Sequence, residues 1–381
     1  MRLGAGLAAA IGAVTLIALF QWEDASLGWS AYLIGSFFAI GLGVFGIAWL
    51  AITALAGATW SVTMRRVPEA MTAWLLPGGL LMLATLAGAP ALYLWAQPLG
   101  GDELLAHKAP FLNVRLFAFL TGLSFLVWFV FAWAIVGASR RQDRDGGMAA
   151  TRLTRVSASV FLVLFALTLS IVSFYFLMSL DAHWFSTMFA VLVFTDVIQT
   201  GTAFVAIMAG VLVLTGQYRD FVREDHLHAL GKMVFASTGF WAYIYFCQFM
   251  LIWYANIPEE TVYFIHRSEN GWMPYLLLLP LFKFVIPFLL LIPRAAKRRP
   301  TVLVPIAALL LFAQFLELFV MVGPAIGHGE HQALGHVPVA EFLVTLGFLG
   351  AFVLVFSRSL SSHAAVPLKD PAIAASLAYH V

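Results

Sequence analysis

Ten apolar stretches follow one another along this chain, separated by short polar breaks. They lie near 3–20, 31–57, 72–95, 111–138, 156–180, 185–215, 231–255, 273–293, 302–326 and 338–357. A helix rises 1.5 Å per residue, so each stretch reaches the ~18–20 residues that cover a hydrocarbon core of about 30 Å. Backbone polar groups find no water in that core and must be satisfied within the spanning element itself. The expected fold is therefore an all-α polytopic integral membrane protein with ten transmembrane helices. Only 10% of the residues are charged and 62% are hydrophobic, against about 25% charged in a soluble domain.

The breaks alternate in charge. Of the 21 Lys and Arg, all but Lys108, Arg115, Arg267 and Lys283 fall on one side. That bias puts both termini in the cytoplasm. The opposite side carries acids and histidines, among them Glu23, Asp24, Asp102, His107, Asp181, His183, Glu259, Glu260 and His266. Residues 1–358 form one ten-span domain, and 359–381 form a cytoplasmic tail. Spans 2–5 (31–180) and 6–9 (185–326) are expected as two four-helix bundles, with 3–20 and 338–357 as peripheral helices. The breaks 139–155 and 216–230 read as charged connections. The first stretch is expected to be retained rather than cleaved, because Arg2 alone makes its basic flank and QWEDASLGW has no small-x-small site. The net charge is only +2, and its basic residues sit in short loops, so nucleic acid is excluded as a partner.

Ionisable groups at membrane depth single out the candidate site. Asp196 lies about 12 residues, or roughly 18 Å, into a span entered from outside, and Lys283 about 10 residues, or roughly 15 Å, into another. A charge facing lipid there costs at least ~2.5–3.5 kcal/mol, so both are expected to face protein. Gln199 and Thr200, three and four residues on from Asp196, extend one polar face. Glu317 falls in the outer half of its span. Glu341, Arg115, Asp181 and His183 stand nearer the outer surface, and Glu260 sits in WYANIPEETVYF, where Asn256 suits an N-cap before a short interfacial helix. Two readings of this set stand side by side. In one, Asp196 and Lys283 are an ion pair that fixes helix register; in the other, these groups are stations of a proton path, continued inward by Tyr243, Tyr245 and threonines. Trp241, Tyr245 and Trp253 are candidates for stacking a quinone ring.

All ten histidines fall in loops, at span edges or in the tail, whereas a membrane b-type haem takes two axial ligands within the bundle. No intrinsic haem is expected. Cys247 is the single cysteine, so an internal disulfide, a CxxCH attachment and a cysteine-held iron–sulfur cluster are excluded. The outer run GHGEHQALGH matches no strong zinc spacing and reads as a hydrated loop. No catalytic residue and no metal ligand is expected in this chain.

The motifs MSLDAHWFST and FWAYIYFCQFMLIWYANIPEE, with the ending DPAIAASL and the spacing of all ten spans, resemble the F subunit of bacterial alternative complex III. That subunit belongs with the NrfD/PsrC-like ten-span membrane proteins. Ala182 departs from the pattern, which has proline after SLD. The resemblance implies a subunit of a quinol:cytochrome c oxidoreductase in the bacterial cytoplasmic (inner) membrane, within a respiratory electron-transport chain. It implies multihaem and monohaem cytochrome c subunits, an iron–sulfur subunit, a related ten-span subunit and small single-span subunits as partners. The c-type haems and iron–sulfur clusters would lie on those partners, and proton conduction, with quinone or quinol contact, on this chain. It carries over Asp181, His183 and Glu260 as motif positions. Two further expectations are a structural membrane anchor for the complex without proton conduction, and a free-standing secondary transporter.

Overall fold

The computed structural model describes residues 2–22, 25–98, 100–326 and 338–380. Glu23, Asp24 and the run GHGEHQALGH lie outside the described residues. Among the described residues, ten helices are long and apolar enough to cross a membrane: α1 (Arg2–Gln21), α2 (Ala25–Leu55), α3 (Arg66–Leu92), α4 (Val114–Asp145), α5 (Met148–Leu180), α6 (Phe189–Leu214), α7 (Glu224–Ala255), α8 (Met273–Leu291), α9 (Pro300–Ala325) and α10 (Val339–Ser361). No strand occurs among the described residues. The chain is an all-α, multi-pass membrane protein.

Packing closes two rings. Helix α2 touches α3, α3 touches α4, α4 touches α5, and α5 returns to α2. Likewise α6 touches α7, α7 touches α8, α8 touches α9, and α9 returns to α6. The rings are joined where α2 meets α6 and α9, and where α5 meets α6. Helices α1 and α10 pair with each other against α2, outside both rings. Burial follows from this layout: 72% of the spanning windows of α2 and α6 are buried but only 11% of that of α1. The α2–α6 contact is close, because a Cβ on Gly201 would run into the Phe45 ring.

Several boundaries differ from the sequence expectation. The stretch 139–155 is not a loop: α4 continues to Asp145, Gly146 turns with φ 69°, and α5 starts at Met148. Charged side chains end the hydropathy signal well before they end a helix that projects past the bilayer. Likewise α7 begins at Glu224, inside the 216–230 connection. Asn256 is the left-handed C-cap of α7 (φ 48°) rather than an N-cap; Ile257 precedes the short helix Pro258–His266, whose Pro258 takes the first position.

Prolines break two spans. Helix α3 passes through 3-10 turns at Thr72–Trp74 and Thr85–Gly88. Helix α8 runs as α-helix to Pro280, as a π-turn over Leu281–Val285, and as α-helix again from Ile286. These are the second helix of one ring and the third of the other, so they do not occupy corresponding places. The start of α1 meets the end of α10 at the basic end: Arg2 donates to the Ser357 carbonyl at 3.1 Å. The tail then laces over that end, with Asp370 paired to Arg65, Tyr218 donating to the Ala365 carbonyl (2.8 Å) and His226 bonded to the Ser376 carbonyl (2.9 Å).

Candidate functional site

Each helix of the α6–α9 ring sends at least one polar side chain to its centre. On α6, Asp196, Gln199 and Thr200 share one face at three- and four-residue spacing. On α9, Gln314 and Glu317 do the same. Helix α8 contributes Lys283 from the middle of its π-turn, a local widening often found at functional positions. Helix α7 contributes Trp241, Ser237 and Thr238.

Lys283 is fully buried, and Asp196 and Glu317 are 3% and 1% exposed. Its ammonium donates to Asp196 Oδ1 at 2.6 Å, to Gln314 Oε1 at 2.8 Å and to Glu317 Oε2. An ammonium has three N–H donors, and all three are used. Glu317 Oε1 in turn accepts from Trp241 Nε1 at 3.1 Å. The Lys283 ammonium also lies 4.9 Å from the centre of the Trp241 ring, within cation–π range. Thr200 donates to Gln314 at 2.8 Å, so Gln314 Oε1 ties α6, α8 and α9 together.

The backbone explains why Gln199 is there. Proline has no N–H, so Pro287 returns no helical bond to the carbonyl of Lys283 four residues earlier. Gln199 Nε2 donates to that carbonyl at 2.9 Å, as neighbouring helices do for proline-freed carbonyls within a membrane. The same Nε2 reaches Thr238 Oγ1 at 3.3 Å, and one turn further along Thr202 meets Ser237 at 3.2 Å. A row of hydroxyl and amide groups thus runs from the charged cluster toward the basic end.

A second layer lies on the opposite, outer side. Arg267 is 2% exposed. It donates to Asp181 Oδ2 at 2.9 Å and to the carbonyls of Tyr263 (3.0 Å), Val320 (3.1 Å) and Met321 (2.7 Å). Its guanidinium lies 3.6 Å from the centre of the Tyr263 ring, which stacks on Trp184 at 4.2 Å. Burial, the largest single influence, pulls the Arg267 pKa down, but the Asp181 charge, the Tyr263 hydroxyl and the Asp181 hydrogen bond together outweigh it, so the net shift is upward. Closer to the surface, His183 bonds Asp102 at 2.7 Å, and Lys108 donates to the Ala182 carbonyl at 2.7 Å. Asp102 also caps the short helix Glu103–Lys108 by accepting from the Leu105 N–H at 3.0 Å. That bond, then the His183 contact, hold its carboxyl below the usual range.

In comparisons with known proteins, no family model matches the chain and no curated protein matches it.

The structure brings Asp196, Lys283, Glu317, Gln199 and Thr200 into one cluster. Asp196 lies seven residues (189 to 196) from the outer end of α6, about 10 Å at helical rise. That is shallower than expected, because 185–188 are irregular and turn residues instead of the first helical turn. Asp181 and His183 belong to the outer layer. Glu260 is half-buried, and its backbone carbonyl accepts from Trp184 Nε1 at 3.1 Å. Arg115 is exposed at the start of α4, and Glu341 is buried at the start of α10. Tyr243 and Trp253 point outward from α7, 63% and 68% exposed, away from the cluster. Trp241 is buried and stacks on Tyr245 at 4.8 Å, so Trp241, Tyr245 and Trp253 do not form one wall.

Sequence reading passed over Gln314, although LFAQFLELF places it one turn before Glu317. Arg66, one of the basic-side residues expected in a short loop, stands instead in a helix with Glu69 one turn on. Both are buried: Arg66 pairs with Glu69 at 2.6 Å and with Asp143, and Glu69 accepts from Ser139 at 2.6 Å. The three-residue spacing of Arg66 and Glu69 was the available signal.

Proposed function

We propose that the chain is a membrane subunit of a quinol:cytochrome c oxidoreductase of the alternative complex III kind, seated in a bacterial cytoplasmic membrane. Its own contribution is a proton path coupled to quinol oxidation, with the c-type haems and iron–sulfur clusters on partner subunits. The observation that carries the proton path is the cluster of one ammonium and two carboxylates shut away from water in the α6–α9 ring. Ionisable groups at such depth mark ion and proton pathways. One ammonium faces two carboxylates, so the cluster keeps one acceptor position beyond those its cation neutralises. A proton that arrives on one carboxylate frees Lys283 to turn toward the other, and this change of partner is the switching element. The row Gln199, Thr238, Thr202 and Ser237 continues from the cluster toward the basic end. The wider assignment to the complex rests on the motifs MSLDAHWFST and FWAYIYFCQFMLIWYANIPEE.

One feature favours a second reading, a static brace in a membrane anchor: all three Lys283 donors already have partners. Asp196→Asn separates the two. It leaves Lys283 paired with Glu317 and keeps a hydrogen-bonding group on α6. In proteoliposomes holding the whole complex, the variant is expected to keep quinol:cytochrome c turnover and lose proton translocation. Unchanged translocation refutes the path, and poor assembly with normal coupling in whatever assembles favours the brace.

A further inference from the structure

Outward of the charged cluster lies a small cavity that the site described above does not use. Tyr245 and Gln248 of α7, Tyr263, Arg267, and Glu317 and Met321 of α9 line it. It leaves about 10 Å³ for the centre of a water molecule, which is room for about one water. Gln248 is 3% exposed, and neither its Oε1 nor its Nε2 has a hydrogen-bonding partner among the described residues. Buried side-chain amides are nearly always satisfied by protein or by ordered water. An amide left open on both sides, on the wall of a cavity of this size, is what a water site offers: one acceptor and two donors.

The position of Gln248 follows from helix geometry. Trp241, Tyr245 and Gln248 sit at i, i+4 and i+7, on one face of α7. Trp241 holds Glu317, and Gln248 lies two turns nearer the outer end, about 10 Å along the axis. Glu317 and Arg267 both line the cavity, and Asp181 is bonded to the Arg267 guanidinium.

We propose that Gln248 fixes a water molecule in this cavity, and that this water is the outer relay connecting Glu317 with the Asp181–Arg267 layer. The inference rests on the proton-path reading above and supplies its outer half. The amide can receive a hydrogen bond from the water or give one to it, so the water can turn and pass a proton in either direction. Arg267 does not give up its proton; it is a fixed positive wall, and the exchangeable groups beside the water are Glu317 and the hydroxyls of Tyr245 and Tyr263. Gln248 acts through the water and is a positioning residue.

The test uses the chain in its native assembly. X-ray-generated hydroxyl radicals label side chains next to bound water, and mass spectrometry reads the label. Tyr245 and Met321 are expected to be labelled in the parent and to lose the label in Gln248→Leu, while Gln248→Asn, which keeps an amide, retains it. No label in the parent, or the same label in Gln248→Leu, overturns the water site. In proteoliposomes, Gln248→Leu is expected to lose proton translocation and to keep turnover. A variant that loses the label but translocates like the parent overturns the relay, and the Asp196→Asn result stays independent of it. If Asp196→Asn also translocates normally, the underlying path falls instead.

Discussion

Lys283→Met is the most direct probe of what holds the α6–α9 ring together. Methionine keeps most of the apolar stem and removes the ammonium. Asp196 and Glu317, 3% and 1% exposed, then face each other without a cation, and Gln314 Oε1 keeps only Thr200 as donor. Removing one partner from a buried ion pair costs about 3–5 kcal/mol, because the remaining charge is uncompensated. Two carboxylates depend on this one cation, which puts the loss at the upper end, about 5 kcal/mol. That is between three and four powers of ten in the folded-to-unfolded ratio, at about 1.4 kcal/mol for each. The companion is the triple variant Lys283→Met, Asp196→Asn, Glu317→Gln. It leaves no charge in the buried cluster, and neutral replacement of a whole buried ion pair is often without net cost. It is therefore expected to recover most of the loss. The assay is a temperature series on tagged protein in mild detergent, read by fluorescence-detected gel filtration as the fraction remaining monodisperse. A single variant as resistant as the parent, or a triple variant no better than the single, would refute the reasoning.

Two further outcomes are expected. A Cβ on Gly347 would come 2.7 Å from the Gly12 Cα, so Gly347→Leu should push α1 off α10 at a cost of about 1–3 kcal/mol; an Ala5→Cys reporter, buried at 8% in the parent, should then react with a maleimide. Asp102→Ala should alter the acid limb of stability. The Asp102 carboxyl is held below its ordinary value by the Leu105 N–H and then by His183. Its contribution is present above the unfolded pKa of about 3.9 and is lost as pH falls through the lower folded value. The parent should therefore lose stability over that acid window, whereas Asp102→Ala should already lack the contribution at neutral pH and show no such limb.

The ten spans were legible because each is a long apolar run, and hydropathy reads such runs without tertiary information. The charged extensions of α4, α5 and α7 were not, since Arg140, Arg141 and Glu224 look the same in a loop and in a helix standing clear of the bilayer. Asp196, Lys283 and Glu317 were each visible as charges at depth. The Asp196–Lys283 pair stood as one reading of two, and that Glu317 joins it was not legible, because rotation about each helix axis depends on which neighbour it packs against. The uncharged partners were the harder loss: Gln314 and Gln248 carry no charge to mark them, and a glutamine inside an apolar run becomes informative only beside its neighbours. Asn256 was misplaced by a competing rule, since asparagine serves both N-caps and left-handed C-caps, and here its φ of 48° decides for the latter.

The pairing of α1 with α10 sets a demand on the order of synthesis. Most of what α1 touches is α10, which the ribosome reaches some 300 residues later, on the order of tens of seconds at ordinary elongation rates. Until then, of its neighbours α2 and α10, α1 has only α2. A helix in that position cannot carry a group that waits for a distant partner, and apart from Arg2 at its start α1 has no charged residue from Leu3 to Gln21. Helix α8, by contrast, is made after α6, and its Lys283 finds Asp196 already in the chain.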